Sequence, residues 1–191
     1  MNEVTVVVVW VGISYLLGTI PVGDIVARAA GIDIRARGTK NPGAANVYRE
    51  LGPRYGVAVF FLDVAKGALA TVPILVLGFS PWARVITSVA VLSGHLFPVF
   101  SKRLGGTGMA TAMGTLIGLT PIGLIGGVPA AMLTIAATRN AGYTGAVLFA
   151  VTVLLAVLLR QEVAGALGVL VVGAIVLVKA RVQYGGRVPK D

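Results

Sequence analysis

The chain contains no cysteine, a single histidine, and only seven acidic side chains against 16 Lys and Arg. Without cysteine there can be no disulfide, thiol nucleophile or thiolate metal ligand. One histidine, His95, excludes a multi-histidine metal centre, so neither metal nor cofactor is expected. Charged residues make up 12% of the sequence, half the share of about 25% in a soluble domain. The phosphate-binding signature Gly-x4-Gly-Lys-Ser/Thr is missing, which removes the P-loop class. The alternating pattern of a membrane β-barrel is also missing. The N-terminus lacks the basic region of a cleaved signal peptide, since Glu3 is the only charged side chain before Asp24. The first apolar run is therefore expected as a retained span with its N-terminus outside.

What remains is apolar. Hydrophobic residues make up 57% of the chain, with a mean hydropathy of +0.92. Apolar runs of about 20 residues recur, long enough to cross about 30 Å of hydrocarbon. Lipid offers backbone groups no partner, so such runs should be helices. They read as 4–26, 55–77, 82–100, 143–160 and 163–179, with a further apolar stretch over 108–138. Thr120-Pro121 divides that stretch, because proline removes a donor and disfavours helix in the residue before it. The pieces become 108–119 and 121–137. Twelve helical residues rise only about 18 Å, so the first piece is short for a crossing. The expectation is one all-α integral membrane domain over residues 1–191: a seven-transmembrane-helix bundle with a broken or short central segment. A six-segment alternative would put both ends on one face.

The net charge of +9 sits in the gaps between apolar runs, which points to membrane topology and away from nucleic acid. With seven segments, Arg28, Arg35, Arg37, Lys40, Arg49, Arg54, Lys102, Arg103, Arg139, Arg181, Arg187 and Lys190 all face the cytoplasm, bordered by Lys179. Arg84 and Arg160 face the other side. Glycine, at 26 residues, is close to twice its usual share of about 7%. Gly12/Gly18/Gly23, Gly114/Gly118 and Gly165/Gly168/Gly173 suit close helix packing.

Polar chemistry concentrates in a few places. The segment Gly38-Thr39-Lys40-Asn41-Pro42-Gly43-Ala44-Ala45-Asn46-Val47-Tyr48-Arg49 combines backbone-exposing glycines, two asparagine amides and a guanidinium that can grip an anion in two places. It suits either an anionic ligand or a basic turn against lipid headgroups. Asp63 and Lys66, three residues apart, share a helical face and suit an ion pair or substrate contact. Gly94-His95-Leu96-Phe97-Pro98 leads to Lys102-Arg103-Leu104-Gly105-Gly106-Thr107-Gly108-Met109-Ala110-Thr111. There, the N–H groups of Gly105, Gly106 and Gly108 suit an anion nest at the start of a helix, or a tight re-entry turn. His95 suits a hydrogen-bonded packing role more than that of a base. Thr138-Arg139-Asn140-Ala141-Gly142-Tyr143-Thr144 offers Arg139 as an anion ligand or topology anchor. Arg181-Val182-Gln183-Tyr184-Gly185-Gly186-Arg187 is a weaker polar tail.

These pieces, together with Leu17-Gly18-Thr19-Ile20-Pro21-Val22-Gly23 and Gly52, Gly56 and Gly67, resemble the bacterial acyl-phosphate:glycerol-3-phosphate acyltransferase family over residues 16–114. The resemblance implies a seven-helix membrane bundle with its site at the cytoplasmic face. It also implies acyl transfer from acyl phosphate to glycerol 3-phosphate, giving 1-acyl-glycerol 3-phosphate and phosphate. Thr39, Asn41, Asn46 and Arg49 would form the first, catalytic motif. Gly105, Gly106, Thr107 and Gly108 would form the glycine-rich phosphate-binding motif, and Arg139 the basic residue of a third region. Membrane lipid is an implied partner; no oligomeric state is specified.

The chain also departs from that family. Thr39 stands where serine is common, Lys40 where glycine is common and Ala45 where threonine is common. The glycine-rich motif usually reads Gly-Gly-Lys-Gly, and Thr107 holds the lysine position. Lys102, Arg103 and Lys40 are the candidates to replace that charge. Gly142 stands where serine is common, and the C-terminal His, Asn-Ile and Gly-x-Glu pattern is not reproduced over 179–187. The competing readings are a noncatalytic relative that binds phospholipid or phosphate, and a transporter with proline-broken helices.

Overall fold

The computed structural model describes residues 2–101 and 103–184. Lys102, Gly185, Gly186, Arg187 and Lys190 of the sequence reading lie outside these residues. Among the described residues the regular structure is all helical. In chain order the helices are α1 (Glu3–Gly18), α2 (Val22–Ala29), α3 (Ala44–Leu51), α4 (Pro53–Val76), α5 (Pro81–Leu96), α6 (Met109–Leu119), α7 (Pro121–Thr138), α8 (Ala141–Leu158) and α9 (Val163–Tyr184). A short 3-10 turn, Ile34–Ala36, interrupts the loop between α2 and α3.

Local chemistry sets the helix starts. Asn2 caps α1 by accepting from the Thr5 N–H at 2.9 Å. Asn140 caps α8 by accepting from Gly142 and Tyr143. Proline opens α4, α5 and α7, at a position where its missing N–H costs nothing.

The expected seven-span bundle is corrected by the helix lengths. Among the described residues four helical stretches are long and apolar enough to cross a membrane: Glu3–Ala29, taking α1 and α2 together, then α4, α7 and α9. The chain is thus an all-α integral membrane fold with four candidate spans. The expected span 82–100 ends as a helix at Leu96, leaving α5 with 16 residues that bury Arg84. Helix α6 has 11 residues, a rise of only about 16 Å, and α8 falls among the shorter apolar helices. Hydropathy reports how apolar a run is; capping residues and turns decide how much of it becomes helix.

The exterior is as apolar as the core, and the interior also holds small polar side chains. Val4, Val8, Phe61, Leu62, Leu69, Met132 and Leu133 lie on the exterior, while Ser14, Thr71, Thr87, Ser88, Thr111 and Thr115 are buried. The buried hydroxyls of Thr87, Ser88 and Thr115 return to carbonyls of their own helices, so they carry little desolvation cost. Close helix approach depends on glycine at several crossings. A Cβ on Gly94 would overlap the Tyr15 carbonyl, bringing α5 against α1, and a Cβ on Gly114 would overlap the Val64 carbonyl, bringing α6 against α4. Gly12, by contrast, faces open space and does not serve the packing role expected for it.

The bundle has two distinct ends. Glu3 accepts from the Ser80 N–H, and Arg84 pairs with Glu162 and donates to the Gly118 carbonyl. These contacts gather the start of α1, the α4–α5 turn and the α8–α9 turn at one end. At the other, Asn41 reaches Tyr184, and Gly145 packs against Met109 and Leu177. A small core of Val22, Ala27, Ile34, Val47 and Val59 seats α2, the 3-10 turn and α3 on α4 there. This cap carries the polar loop.

Candidate active site

The polar loop is held by its own asparagines. Asn46, on α3, is buried; its Oδ1 accepts from the Thr39 N–H at 2.9 Å and its Nδ2 donates to the Arg37 carbonyl at 3.1 Å. One amide thus satisfies both sides of the turn. Gly38 adopts φ +51°, and a side chain there would run into Asn46 and Glu50. Asn41 spans a longer distance in sequence. Its Oδ1 accepts from the Gly43 N–H, and its Nδ2 donates to the Tyr184 hydroxyl at 2.6 Å. The last described residue of α9 is therefore tied to the loop. The Thr39 hydroxyl is buried without a hydrogen-bond partner, a costly state for a polar group unless a ligand completes it.

The glycine-rich loop meets the polar loop directly. A Cβ on Gly106 would lie 3.1 Å from Asn41 Oδ1, 3.2 Å from His95 Nε2 and 3.5 Å from the Gly43 nitrogen. Gly108, at φ +83°, turns the chain into α6. The expected nest needs one correction: the Gly105 N–H already donates to the Leu96 carbonyl at 2.9 Å. Gly105 therefore shapes the turn, and its N–H is not free for an anion. The N–H groups of Gly106, Thr107 and Gly108 have no partner among the described residues. They sit where the first-turn amides of α6 also point outward, a favourable setting for an anion.

Beneath the loops lies a buried ionic cluster. Lys66 and Asp63 form the ion pair allowed by their spacing, 2.7 Å apart and both 5% exposed. Lys66 also donates to the Gly18 and Ile20 carbonyls at the α1 break. His95 Nδ1 lies 3.3 Å from the Thr111 hydroxyl and 3.8 Å from Asp63, while its Nε2 is buried without a partner. His95 lines a narrow recess with Asp63, Gly106 and the Gly18–Asp24 turn. Among the described residues no acid–histidine cluster suited to a metal occurs.

A second ion pair went unrecognised in the sequence. Arg35 takes both carboxylate oxygens of Asp24 at 2.7 Å and donates its remaining amine to the Leu104 carbonyl, also at 2.7 Å. Leu104 immediately precedes the glycine-rich loop, so Arg35 ties that loop to the cap. The signal was available: Asp24 sits inside an apolar run, and a buried acid there needs a partner. Beside this pair opens a cleft of about 680 Å³ lined by Asp33, Arg35, Lys40, Arg103, Lys179 and Gln183. Lys179 and Gln183 come from α9, a helix whose sequence is otherwise mostly apolar.

The structure therefore brings Thr39, Asn41, Asn46 and the 105–108 loop together, and adds His95, Arg35, Lys179 and Tyr184. The two remaining arginines make no ion pair among the described residues. Arg49 lies exposed on α3. Arg139 is exposed at the end of α7, at φ +50°, and lines neither the recess nor the cleft.

Comparison with known proteins adds an independent result. Residues 8–185 match a family model described as glycerol-3-phosphate acyltransferase. A glycerol-3-phosphate acyltransferase of Aquifex aeolicus is 43% identical over 109 residues, covering 56% of this chain and 57% of the relative. One from Desulforudis audaxviator is 40% identical over 140 residues, covering 73% and 70%. The Aquifex match thus spans less than two thirds of that relative's length. In three dimensions the chain is similar to the crystal structure of PlsY (YgiH), an integral membrane glycerol 3-phosphate acyltransferase, in its glycerol 3-phosphate form. The TM-score is 0.86 at 31% identity, covering 94% of this chain and 90% of that one.

Proposed function

The chain belongs to the glycerol-3-phosphate acyltransferase family, and on that premise we propose that it transfers an acyl group from acyl phosphate to glycerol 3-phosphate. It is a multi-pass protein of the bacterial inner membrane. One observation carries the proposal. Three polar segments far apart in sequence, represented by Asn41, Gly106 and Tyr184, converge on one end of an apolar bundle. That arrangement offers polar contacts for two phosphate-bearing reactants and a lipid-facing wall for an acyl tail.

In the proposed reaction a glycerol hydroxyl oxygen attacks the acyl carbonyl carbon. The new ester bond forms as the bond from carbon to the phosphate oxygen breaks, and the hydroxyl proton passes to the departing phosphate. No covalent enzyme intermediate is needed. The free N–H groups of Gly106, Thr107 and Gly108 would hold the phosphoryl group and offset oxygen charge in the transition state. Thr39 would donate or accept through its unpartnered hydroxyl. Asn41 and Asn46 would hold the loop around the reactants. Arg49 and Arg139, both exposed, would draw anionic reactants to the mouth by charge.

The site end would face the cytoplasm. The start of α1, held beside Ser80 at the far end, would then lie outside and the end of α9, held beside Asn41, inside. This orientation rests on these contacts and not on the number of long spans. Arg28, Arg37, Lys40, Arg49, Arg54, Arg103 and Arg181 cluster in elements at the site end, whereas the opposite end contributes Arg84 and Arg160. Positive charge favours the cytoplasmic side.

The test is a reaction of purified protein with acyl phosphate and glycerol 3-phosphate, following lysophosphatidic acid and phosphate together. Equal release of both is expected. Folded protein that binds both substrates and makes neither product would leave the noncatalytic phosphate-binding relative, the reading favoured by the uncharged Thr107.

A further inference from the structure

We propose that Lys40 and Lys179 supply the phosphoryl-binding charge that Thr107 cannot. This rests on the acyltransferase reading and assigns a role within it that neither the glycine-rich loop nor the arginines fill. The wide cleft carries four cations: Arg35, Lys40, Arg103 and Lys179. Two are already answered. Arg35 is held by Asp24, and Arg103 lies 3.6 Å from Asp33. Lys40 and Lys179 make no ion pair among the described residues. Two unanswered ammonium groups facing one cleft match the charge of a phosphate dianion.

Position supports the assignment. Gly105 lines both the cleft and the recess beside His95, so the loop bearing Thr107 borders the space the two lysines enter. Lys40 holds φ +60°, a left-handed conformation that glycine adopts freely and lysine disfavours. Local backbone preference therefore does not account for a lysine at this position. Lys179 comes from α9, half-buried, one turn before Gln183 and Tyr184. Its ammonium is a point charge on a flexible stem and needs no fixed fork geometry to meet a phosphate.

The experiment compares Lys40→Gly, Lys179→Met, their double variant, and Thr107→Lys added to the double. Lys40→Gly suits the φ +60° backbone, and thermal unfolding of each variant shows that it is folded. Each single variant should raise KM for a phosphate-bearing substrate about tenfold, and the double about a hundredfold, with kcat changed less. Thr107→Lys should recover part of the loss. Separate KM values for glycerol 3-phosphate and acyl phosphate identify which phosphoryl group is held. Unchanged KM for both substrates in the folded double variant overturns the proposal. If wild-type protein catalyses nothing, the acyltransferase reading fails by itself, and titration with inorganic phosphate decides this one. Weaker binding by the double variant supports it; equal binding, or none to wild type, overturns it.

Discussion

Arg35 and Asp24 meet through two parallel hydrogen bonds of 2.7 Å, and the same guanidinium holds the carbonyl of Leu104. One side chain thereby links α2, the 3-10 turn and the approach to the glycine-rich loop. Lysine cannot reproduce that fork. Arg35→Lys should lower stability by about 2 kcal/mol and turnover at least tenfold, read from thermal unfolding in detergent and initial rates. Wild-type values for both would show that the Leu104 contact is incidental.

The hydrogen bond from Asn41 to Tyr184 tests whether the end of α9 belongs to the site. Tyr184→Phe keeps the ring and removes the acceptor, a cost of about 1 kcal/mol. Turnover should fall several-fold while membrane insertion stays intact. A variant with normal kinetics and lowered melting temperature would reduce this contact to a structural tie.

The Asp63–Lys66 pair is buried on both sides, so removing one member strands the other. Lys66→Met should destabilise the protein by about 3 kcal/mol, whereas Asp63→Leu combined with Lys66→Met should recover much of that loss. The readout is unfolding of the single and double variants. If the double variant is no better than Lys66→Met, the carbonyl contacts of Lys66 at the α1 break matter more than its charge.

Two glycines separate catalysis from assembly. Gly106→Ala inserts a methyl between Asn41 and His95, near enough to press on both, without a strained backbone. Activity should drop at least tenfold with little change in melting temperature. Gly114→Ala drives a methyl into the α4 backbone and should lower stability by about 2 kcal/mol. Equal melting temperatures for the two variants would contradict this division.

Much of the site was legible because its chemistry is foreign to the surrounding sequence. Thr39, Asn41 and Asn46 stand out against apolar helices, and the 105–108 glycines mark a turn wherever they occur. Their individual tasks were less legible. Asn46 looked like a substrate ligand, yet both ends of its amide are occupied by the loop backbone. Gly105 looked like part of a nest, yet its N–H is taken by Leu96. Arg49 and Arg139 carry the right charge and lie exposed, with no ion pair among the described residues. Residue type reveals which bonds a group can make; only packing reveals which it has already made.

Span count illustrates the same boundary. Composition dictates an all-helical membrane protein, because a chain this poor in charge must satisfy its backbone internally wherever water is absent. Motif order dictates the family, since the spacing of the polar segments survives without knowledge of their positions in space. Helix ends, and with them four candidate crossings in place of seven, depend on where caps, prolines and loop contacts stop each apolar run. The meeting of Arg35 with Leu104, Asn41 with Tyr184 and Lys40 with Lys179 across one cleft likewise needed the folded chain. Each pair is separated by at least 69 residues, and their encounter depends on the crossing of helices whose surfaces, apart from a few glycines, read alike in one dimension.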